Sequence, residues 1–318
     1  MHILVTGGAG FIGSNLVDRL LGAGHDVVAY DNFSTGFREF LTEARKSPRF
    51  RLVEGDLLDR AKLDAAMKGI ELVFHLAANA DVRFGTDHPG RDLEQNTFAT
   101  FNVLEAMRAN GTKRIAFSST GSIYGEPTVF PTPEDAPFPV QTSLYGASKL
   151  AGEGLIAAYC EGFGFQGHIF RFVSVLGERY THGHVFDFYN KLKQDPSVLP
   201  VLGDGNQRKS YVYVQDCIDG ILTAVEKANA KVNIVNIGTN GVCQVRDSIG
   251  WICNRLGLAP TLAFSGGTRG WIGDSPFIHL DIAKLRGLGW EPKMQIPDAI
   301  IRTVSWLQEN EWVFERRD

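Results

Sequence analysis

Tyr145 and Lys149 stand four residues apart in Tyr145-Gly146-Ala147-Ser148-Lys149. On a helix, residues i and i+4 share one face, so the phenol and the ammonium project together. A tyrosine near its ordinary pKa of about 10 is a poor base at neutral pH. A nearby lysine cation favours the phenolate, and the pair becomes a general base matched to an alcohol proton. Ser118-Ser119-Thr120 ends a strand-like run, at the carboxyl edge where open α/β sheets place their ligands. A hydroxyl there can share the substrate oxygen's proton with Tyr145. The expected catalytic residues are Thr120, Tyr145 and Lys149.

A second group of residues is suited to a dinucleotide. In Thr6-Gly7-Gly8-Ala9-Gly10-Phe11-Ile12-Gly13, a strand-like run precedes and a helical run follows. Gly7, Gly10 and Gly13 permit a tight turn and let a pyrophosphate approach the backbone at the start of that helix, near Phe11 and Ile12. Asp31 lies at the end of the next strand, where a carboxylate binds the adenosine ribose hydroxyls. It would repel a 2′-phosphate, so NAD is favoured over NADP. Asn32, Ser34 and Gly36 follow in the same turn. Asp56, with Leu57, sits where an adenine edge could be reached, although an aspartate in Gly55-Asp56-Leu57 reads equally well as a turn residue. The small residues of Leu76-Ala77-Ala78 suit a backbone that lies against a flat cofactor. Ser118, Val173 and the catalytic Tyr145 and Lys149 complete the expected cofactor contacts.

These residues require a particular scaffold. Short apolar runs at 3–5, 27–30, 51–53, 71–76, 114–118 and 168–173 read as strands. Helical periodicity lies between them at 11–21, 59–68, 89–110 and 143–162. Such alternation means βαβ units and a parallel sheet covered on both faces. The second half has turn signals at Leu202-Gly203-Asp204-Gly205, helical runs at 214–227, 245–256 and 297–309, and a strand near 232–237. The expected fold class is α/β: a Rossmann doubly wound parallel sheet with a smaller C-terminal α/β substrate lobe. The expected division is 1–172 for the NAD-binding domain, which also receives parts of 212–237, and 173–318 mainly for the substrate lobe.

Composition narrows the function classes. The chain has 318 residues, with 44 % hydrophobic and 21 % charged, so it can bury a core and is not a disordered composition. Lys+Arg total 32 against 36 Asp+Glu, a formal charge of −4, which leaves no basic footprint for nucleic acid or a membrane surface. No apolar run is long enough to span a bilayer, and the N-terminus does not read as a signal peptide. The four cysteines lack metal-site spacing. A cytoplasmic protein without a metal is expected.

With these motifs in view, the chain resembles the extended short-chain dehydrogenase/reductases of the nucleotide-sugar epimerase group. The likeness rests on Thr6–Gly13, Asp31-Asn32, Val73–Ala78, Ser118-Ser119-Thr120 with Tyr124-Gly125, and Tyr145/Lys149. In the second half it rests on Gly203-Asp204-Gly205, Tyr211–Val214, Gly273-Asp274 and Leu288-Gly289-Trp290. It implies a retained NAD and redox-neutral epimerisation at C4 of a UDP-sugar, UDP-glucose or UDP-galactose, through a transient 4-keto sugar. Within it, Lys149 would hold the nicotinamide ribose and keep the Tyr145 pKa low. UDP-glucuronate or an N-acetylated UDP-sugar remain alternatives, and an NAD-sensing protein without activity is a distant one. Dehydratase and decarboxylase relatives carry acids just after the hydroxyl residue, where this chain has Gly121 and Ser122. The resemblance further implies a homodimer through helices at 89–110 and 143–162.

For the substrate, the resemblance places a turn at Gly183-His184-Val185-Phe186 over the base and ribose. It also implies contacts from Thr120, Ser174, Tyr211, Asp274 and Ile278. Three places depart from the family pattern. Ser174 stands where an asparagine is usual. Lys209 replaces the usual phosphate-binding arginine, with Arg208 beside it, and either could serve. Arg269, the candidate for a second phosphate contact, sits further from Asp274 than is common. The expected result is a basic rim of Arg208, Lys209, Tyr211 and Arg269.

Overall fold

The structure is a computed structural model that describes residues 1–79, 87–137, 140–271 and 274–316. Ile272 and Gly273 of the Gly273-Asp274 motif lie outside the described residues. Seven strands form one parallel sheet: β1 (His2–Thr6), β2 (Asp26–Asp31), β3 (Phe50–Glu54), β4 (Leu72–His75), β5 (Arg114–Thr120), β6 (Gln166–Phe172) and β7 (Val232–Ile237). Their order is β7-β6-β5-β4-β1-β2-β3, the Rossmann arrangement. The expected strand at 232–237 pairs in parallel with β6.

The apolar runs are continuous because both sheet faces are buried. Successive side chains alternate between two cores. Ile3, Val5, Val27 and Ala29 face Leu16, Val17 and Leu20 of α1 (Phe11–Gly22). Leu4, Val28 and Val73 face Leu63 of α2 (Arg60–Met67) and Val103 and Met107 of α3 (Ala99–Asn110). Each such Val, Leu, Ile or Met side chain contributes about 1.5–3 kcal/mol through burial.

Further helices are α4 (Leu144–Phe163), α5 (His184–Gln194), α6 (Val214–Lys227), α7 (Val245–Leu256) and α8 (Ile296–Glu309). The second lobe adds short strands, among them Arg208–Lys209 between Cys243–Gln244 and Phe277–Ile278. All parallel strands end on one edge of the sheet. The order reverses between β1 and β4, and a crevice for ligands opens at such a switch point.

Two buried histidines on the sheet make stability pH-dependent. His168 is fully buried, and neither ring nitrogen has a hydrogen-bond partner. Burial pulls its pKa down to about 4, and that of His75 down to about 3. Both take up protons more readily when unfolded, near the ordinary 6.5. Stability is therefore full above about pH 6.5 and falls as pH drops towards the folded values. At pH 5.5 each of them should remove roughly 1.3 kcal/mol relative to pH 7.5. Urea unfolding at the two pH values checks this, and His168→Leu should shrink the difference by roughly 1.3 kcal/mol. An equal pH dependence in that variant would exclude His168 as a cause.

Candidate active site

A cleft of about 520 Å³ runs along the carboxyl edge of the sheet into the second lobe. At one end lies the glycine turn. Gly7 adopts φ +67°. A Cβ on Gly7 would fall 2.8 Å from the Ala77 nitrogen, and one on Gly13 only 2.0 Å from the Gly7 carbonyl. Helix α1 starts at Gly10 with no side-chain cap and no acid in its first turn, which leaves its first N–H groups for an anion. Asp31 accepts hydrogen bonds from the Ala9 and Phe33 amides at 2.9 and 2.8 Å. Burial raises its pKa, the two amides offsetting part of the rise.

Opposite the turn, Thr6 Oγ1 accepts from the Ala77 amide at 3.2 Å and bonds His75 Nδ1 at 2.7 Å. This relay fixes the backbone of Leu76-Ala77-Ala78. Gly10, Phe11, Ile12, Asn32, Ser34, Leu57, Ser118 and Val173 also line this half of the cleft. The cradle that a Cβ would fill, the uncapped helix start and the carboxylate at the end of β2 fit NAD.

Two expected cofactor residues are placed elsewhere. Gly36 packs on the glycine turn, where a Cβ would lie 2.9 Å from the Ala9 backbone. Asp56 is occupied by its own turn, accepting from the Asn32 side-chain amide at 2.8 Å and from the Leu58 amide at 2.9 Å. Neither lines the cleft.

Helix α4 presents Tyr145 and Lys149 to the middle of the cleft. Ser143 caps it, its hydroxyl accepting from the Gly146 amide at 3.0 Å. The Thr120 hydroxyl hydrogen-bonds Tyr145 and donates to Ser122 Oγ at 3.2 Å. Lys149, 2 % exposed, donates to the Ser118 carbonyl at 2.7 Å. Burial pushes the Tyr145 phenol up to about 12, and the Thr120 bond partly offsets this. Burial also draws Lys149 down to about 7, against the opposing charges of Glu153 and Asp92.

Behind this pair, a π-helical turn at Leu93–Phe98 precedes α3 and packs on α4. Its Asn96 donates to Ser148 Oγ at 2.8 Å and accepts from the Asn79 amide at 2.8 Å. Asn79 and Gln95 reach the cleft. Single π-turns of this kind are frequent at functional sites.

At the substrate end the structure selects among the expected residues. Ser174, Gly183, His184, Lys209, Tyr211, Asp274 and Ile278 line the cleft; Val185, Phe186, Arg208 and Arg269 do not. Val185 is fully buried, and Phe186 stacks on Phe314 with centroids 4.4 Å apart. On α5 the lining positions are 184, 187, 188 and 191, one face of a 3.6-residue helix. Arg208 and Lys209 are successive strand residues and point to opposite faces. Arg208 lies over the Phe277 ring at 3.9 Å, whereas Lys209 faces the cleft and pairs with Asp274 at 2.6 Å. Arg269 forms an ion pair with Glu126.

The rim is thus less basic than expected. His184 packs at a tilt against Tyr211, with ring centroids 4.6 Å apart, and bonds Ser248 at 2.7 Å. Burial and the Lys209 charge lower its pKa to about 3. Sequence reasoning missed Tyr180, Thr181, Gln207 and Trp271, which also line the cleft. Gln207 is 5 % exposed, and neither side-chain polar atom has a partner. Its place between the Gly203-Asp204-Gly205 turn and Lys209 was the only available signal.

Among the described residues no cluster of side chains could hold a metal ion, and no helix is long and apolar enough to cross a membrane.

The family model for NAD dependent epimerases and dehydratases matches residues 3–238. A putative UDP-glucose 4-epimerase of Methanocaldococcus jannaschii is 36% identical over 315 residues, covering 97% of this chain and 99% of that protein. A crystal structure of a UDP-galactose 4-epimerase superposes with a TM-score of 0.89 at 40% identity, covering 98% of this chain and 100% of the other. A UDP-glucuronic acid 4-epimerase variant of Bacillus cereus, solved with a fluorinated UDP-glucuronic acid and NAD, gives a TM-score of 0.88 at 28% identity, covering 97% and 99%. The glycine cradle, Asp31 and the Thr120–Tyr145–Lys149 set lie within the matched span: this chain is an enzyme of the NAD dependent epimerase/dehydratase family, and NAD is its cofactor.

Proposed function

We propose that the enzyme interconverts C4 epimers of a UDP-sugar, UDP-glucose and UDP-galactose foremost. The observation that carries this reading is the set of groups beside Thr120. Gly121 and Ser122 follow it, and Ser122 is held there, its amide donating to Thr120 Oγ1 at 3.1 Å. The next carboxylate along the chain, Glu126, is committed to Arg269. Expelling water from C5/C6 needs a further acid–base pair, and this stretch offers no free carboxylate for it. A redox-neutral exchange at one carbon needs only the hydroxyl, the phenol and the ammonium.

Tyr145 takes the proton of the C4 hydroxyl and later returns it. Thr120 hydrogen-bonds the same oxygen as it becomes a carbonyl. Lys149 supplies positive charge on the phenol's side of α4. NAD, held by the glycine turn and Asp31, would supply reversible hydride acceptance at the carbon whose hydroxyl these residues hold. Lys209, aimed by Asp274, is the proposed diphosphate contact. Tyr211, His184 and Ser174 would border the nucleotide, and Ile278 the sugar.

Purified protein incubated with a panel of nucleotide sugars, with products separated by anion exchange, tests the reading. UDP-glucose and UDP-galactose should each yield a mixture of both. A pentose product from UDP-glucuronate, or a dehydrated 6-deoxy product, would overturn it. An epimerase preferring UDP-glucuronate or an N-acetylated sugar would appear as the other C4 epimer of that substrate alone.

A homodimer belongs to the same proposal. Leu93, Phe98, Phe101, Leu144 and Phe163 are large apolar side chains exposed on the π-turn, α3 and α4, the segments expected to pair. Light scattering at micromolar concentration should give twice the chain mass, and a monomer mass would refute the pairing.

A further inference from the structure

Glu153 has no part in the chemistry proposed above, yet it is 5 % exposed and bound to Arg171, 1 % exposed. Burying two charges is expensive, and hydrophobic replacements are often neutral or stabilising. The placement of the pair gives it a use. Tyr145, Lys149 and Glu153 follow one another at four-residue spacing on one face of α4. Each meets one of three consecutive residues at the end of β5. The Thr120 hydroxyl bonds Tyr145, and Lys149 donates to the Ser118 carbonyl at 2.7 Å. Ser119 Oγ donates to Glu153 Oε1. Arg171 pairs with Ser119 across the β5–β6 ladder and closes on the carboxylate from the other side. Its Nε lies 3.1 Å from Oε1 and its Nη2 2.8 Å from Oε2. The guanidinium is itself fixed, its Nη1 donating to the Tyr124 hydroxyl at 2.7 Å and to the Glu134 carbonyl at 2.8 Å.

We propose that Glu153, clamped by Arg171 and Ser119, is the positioning residue that keeps the Lys149 ammonium charged, and that it thereby sets the pH range in which Tyr145 can serve as base. The inference rests on the epimerase reading only for Tyr145's role; the charge of Lys149 can be measured apart from it. Several groups face Lys149. Tyr145 and Glu153 lie on its own helix. Asp92 approaches from the short helix Pro89–Asp92, and His75 lies on β4. The Phe117 ring of β5 lies 4.7 Å from the ammonium. His75 is kept neutral by burial, and Glu153 and Asp92 are the carboxylates that oppose the desolvation of Lys149, Glu153 the larger.

The test uses the NAD-loaded enzyme with lysine labelled by 13C at the ε carbon, the Lys149 resonance being assigned by its loss in Lys149→Met. Titration should show its midpoint moving down by about one pH unit in Glu153→Gln, because the opposing negative charge is gone. The alkaline limb of kcat should move down with it while KM stays within about twofold. If Glu153→Gln fails to fold with the Arg171 charge no longer opposed by that carboxylate, Glu153→Gln/Arg171→Met removes both charges and should shift the midpoint in the same direction. An unchanged Lys149 midpoint in the folded variant would overturn the proposal and leave Glu153 a purely structural partner. The absence of turnover with any nucleotide sugar would strike the epimerase reading instead, because the resonance titrates without substrate.

Discussion

Tyr145→Phe is expected to lower turnover by at least about 100-fold, the scale on which a positioned general base acts. NAD content and UDP affinity should stay within about twofold of the parent. The substitution removes one oxygen and keeps the ring. Its neighbours do not depend on that oxygen for their places. Thr120 retains its bond to Ser122, and Lys149 retains the Ser118 carbonyl. The loss should therefore fall on the chemical step. Turnover at saturating UDP-galactose, with released NAD measured after denaturation, separates the two effects. Near-parental turnover would remove Tyr145 from the mechanism, and joint loss of NAD and activity would make its hydroxyl a cofactor contact instead.

The phenol's raised pKa shows what the site must supply. Burial pushes Tyr145 up to about 12, so positive charge beside the phenol is needed before it can take a proton. Lys149, drawn down to about 7 by burial, keeps part of its charge at neutral pH and favours the phenolate. Spacing places both groups on one face of α4 but carries no information about desolvation, which depends on the whole fold around them. For this reason the positions were legible in the sequence and the electrostatics were not.

The same division runs through the rest of the site. The alternation of apolar runs with helical periodicity specifies the sheet, because a parallel strand is buried on both faces and a crossover helix on one. The glycine turn, Asp31 and Thr120 are legible because each sits at a strand's carboxyl end, and parallel strands share that edge. The second lobe is built from two- to four-residue strands whose pairing comes from distant segments, so resemblance alone could assign its residues. There, local periodicity was still available. A helix from His184 cannot turn 184, 185 and 186 to one ligand, and a strand cannot turn both Arg208 and Lys209 to it. Arg269 is different in kind: its partner, Glu126, lies on the far side of the chain's order and nothing local announces the pair.

Gly13→Ala should abolish retention of NAD, with a thermal midpoint lowered by the overpacking, whereas Gly10→Ala should leave the thermal midpoint nearly unchanged. Spacing treats the three glycines of the turn alike, but the structure ranks them. A Cβ at position 13 would lie 2.0 Å from the Gly7 carbonyl and 2.8 Å from its carbon. Gly7 cannot yield. Its amide donates to the Tyr30 carbonyl at 2.9 Å, and the space beyond its α carbon is filled by the Ala77 backbone. Ala77 is fixed in turn through Thr6 and His75. The strain therefore reaches the seat of the pyrophosphate, at a cost of about 1–3 kcal/mol, and displaces the amides that would meet it. At Gly10 the closest atom is the Gly7 carbonyl oxygen at 3.2 Å, which a shift of a few tenths of an ångström relieves, and the residue already has extended backbone angles, φ −79° and ψ 179°. The turn itself is therefore spared at Gly10, and loss of NAD there would come from the added methyl meeting the pyrophosphate. Calorimetric titration of NAD into protein stripped of cofactor, beside the thermal midpoint of each variant, checks the ranking. Equal retention of NAD by the parent and Gly13→Ala would mean that the pyrophosphate does not sit on this turn.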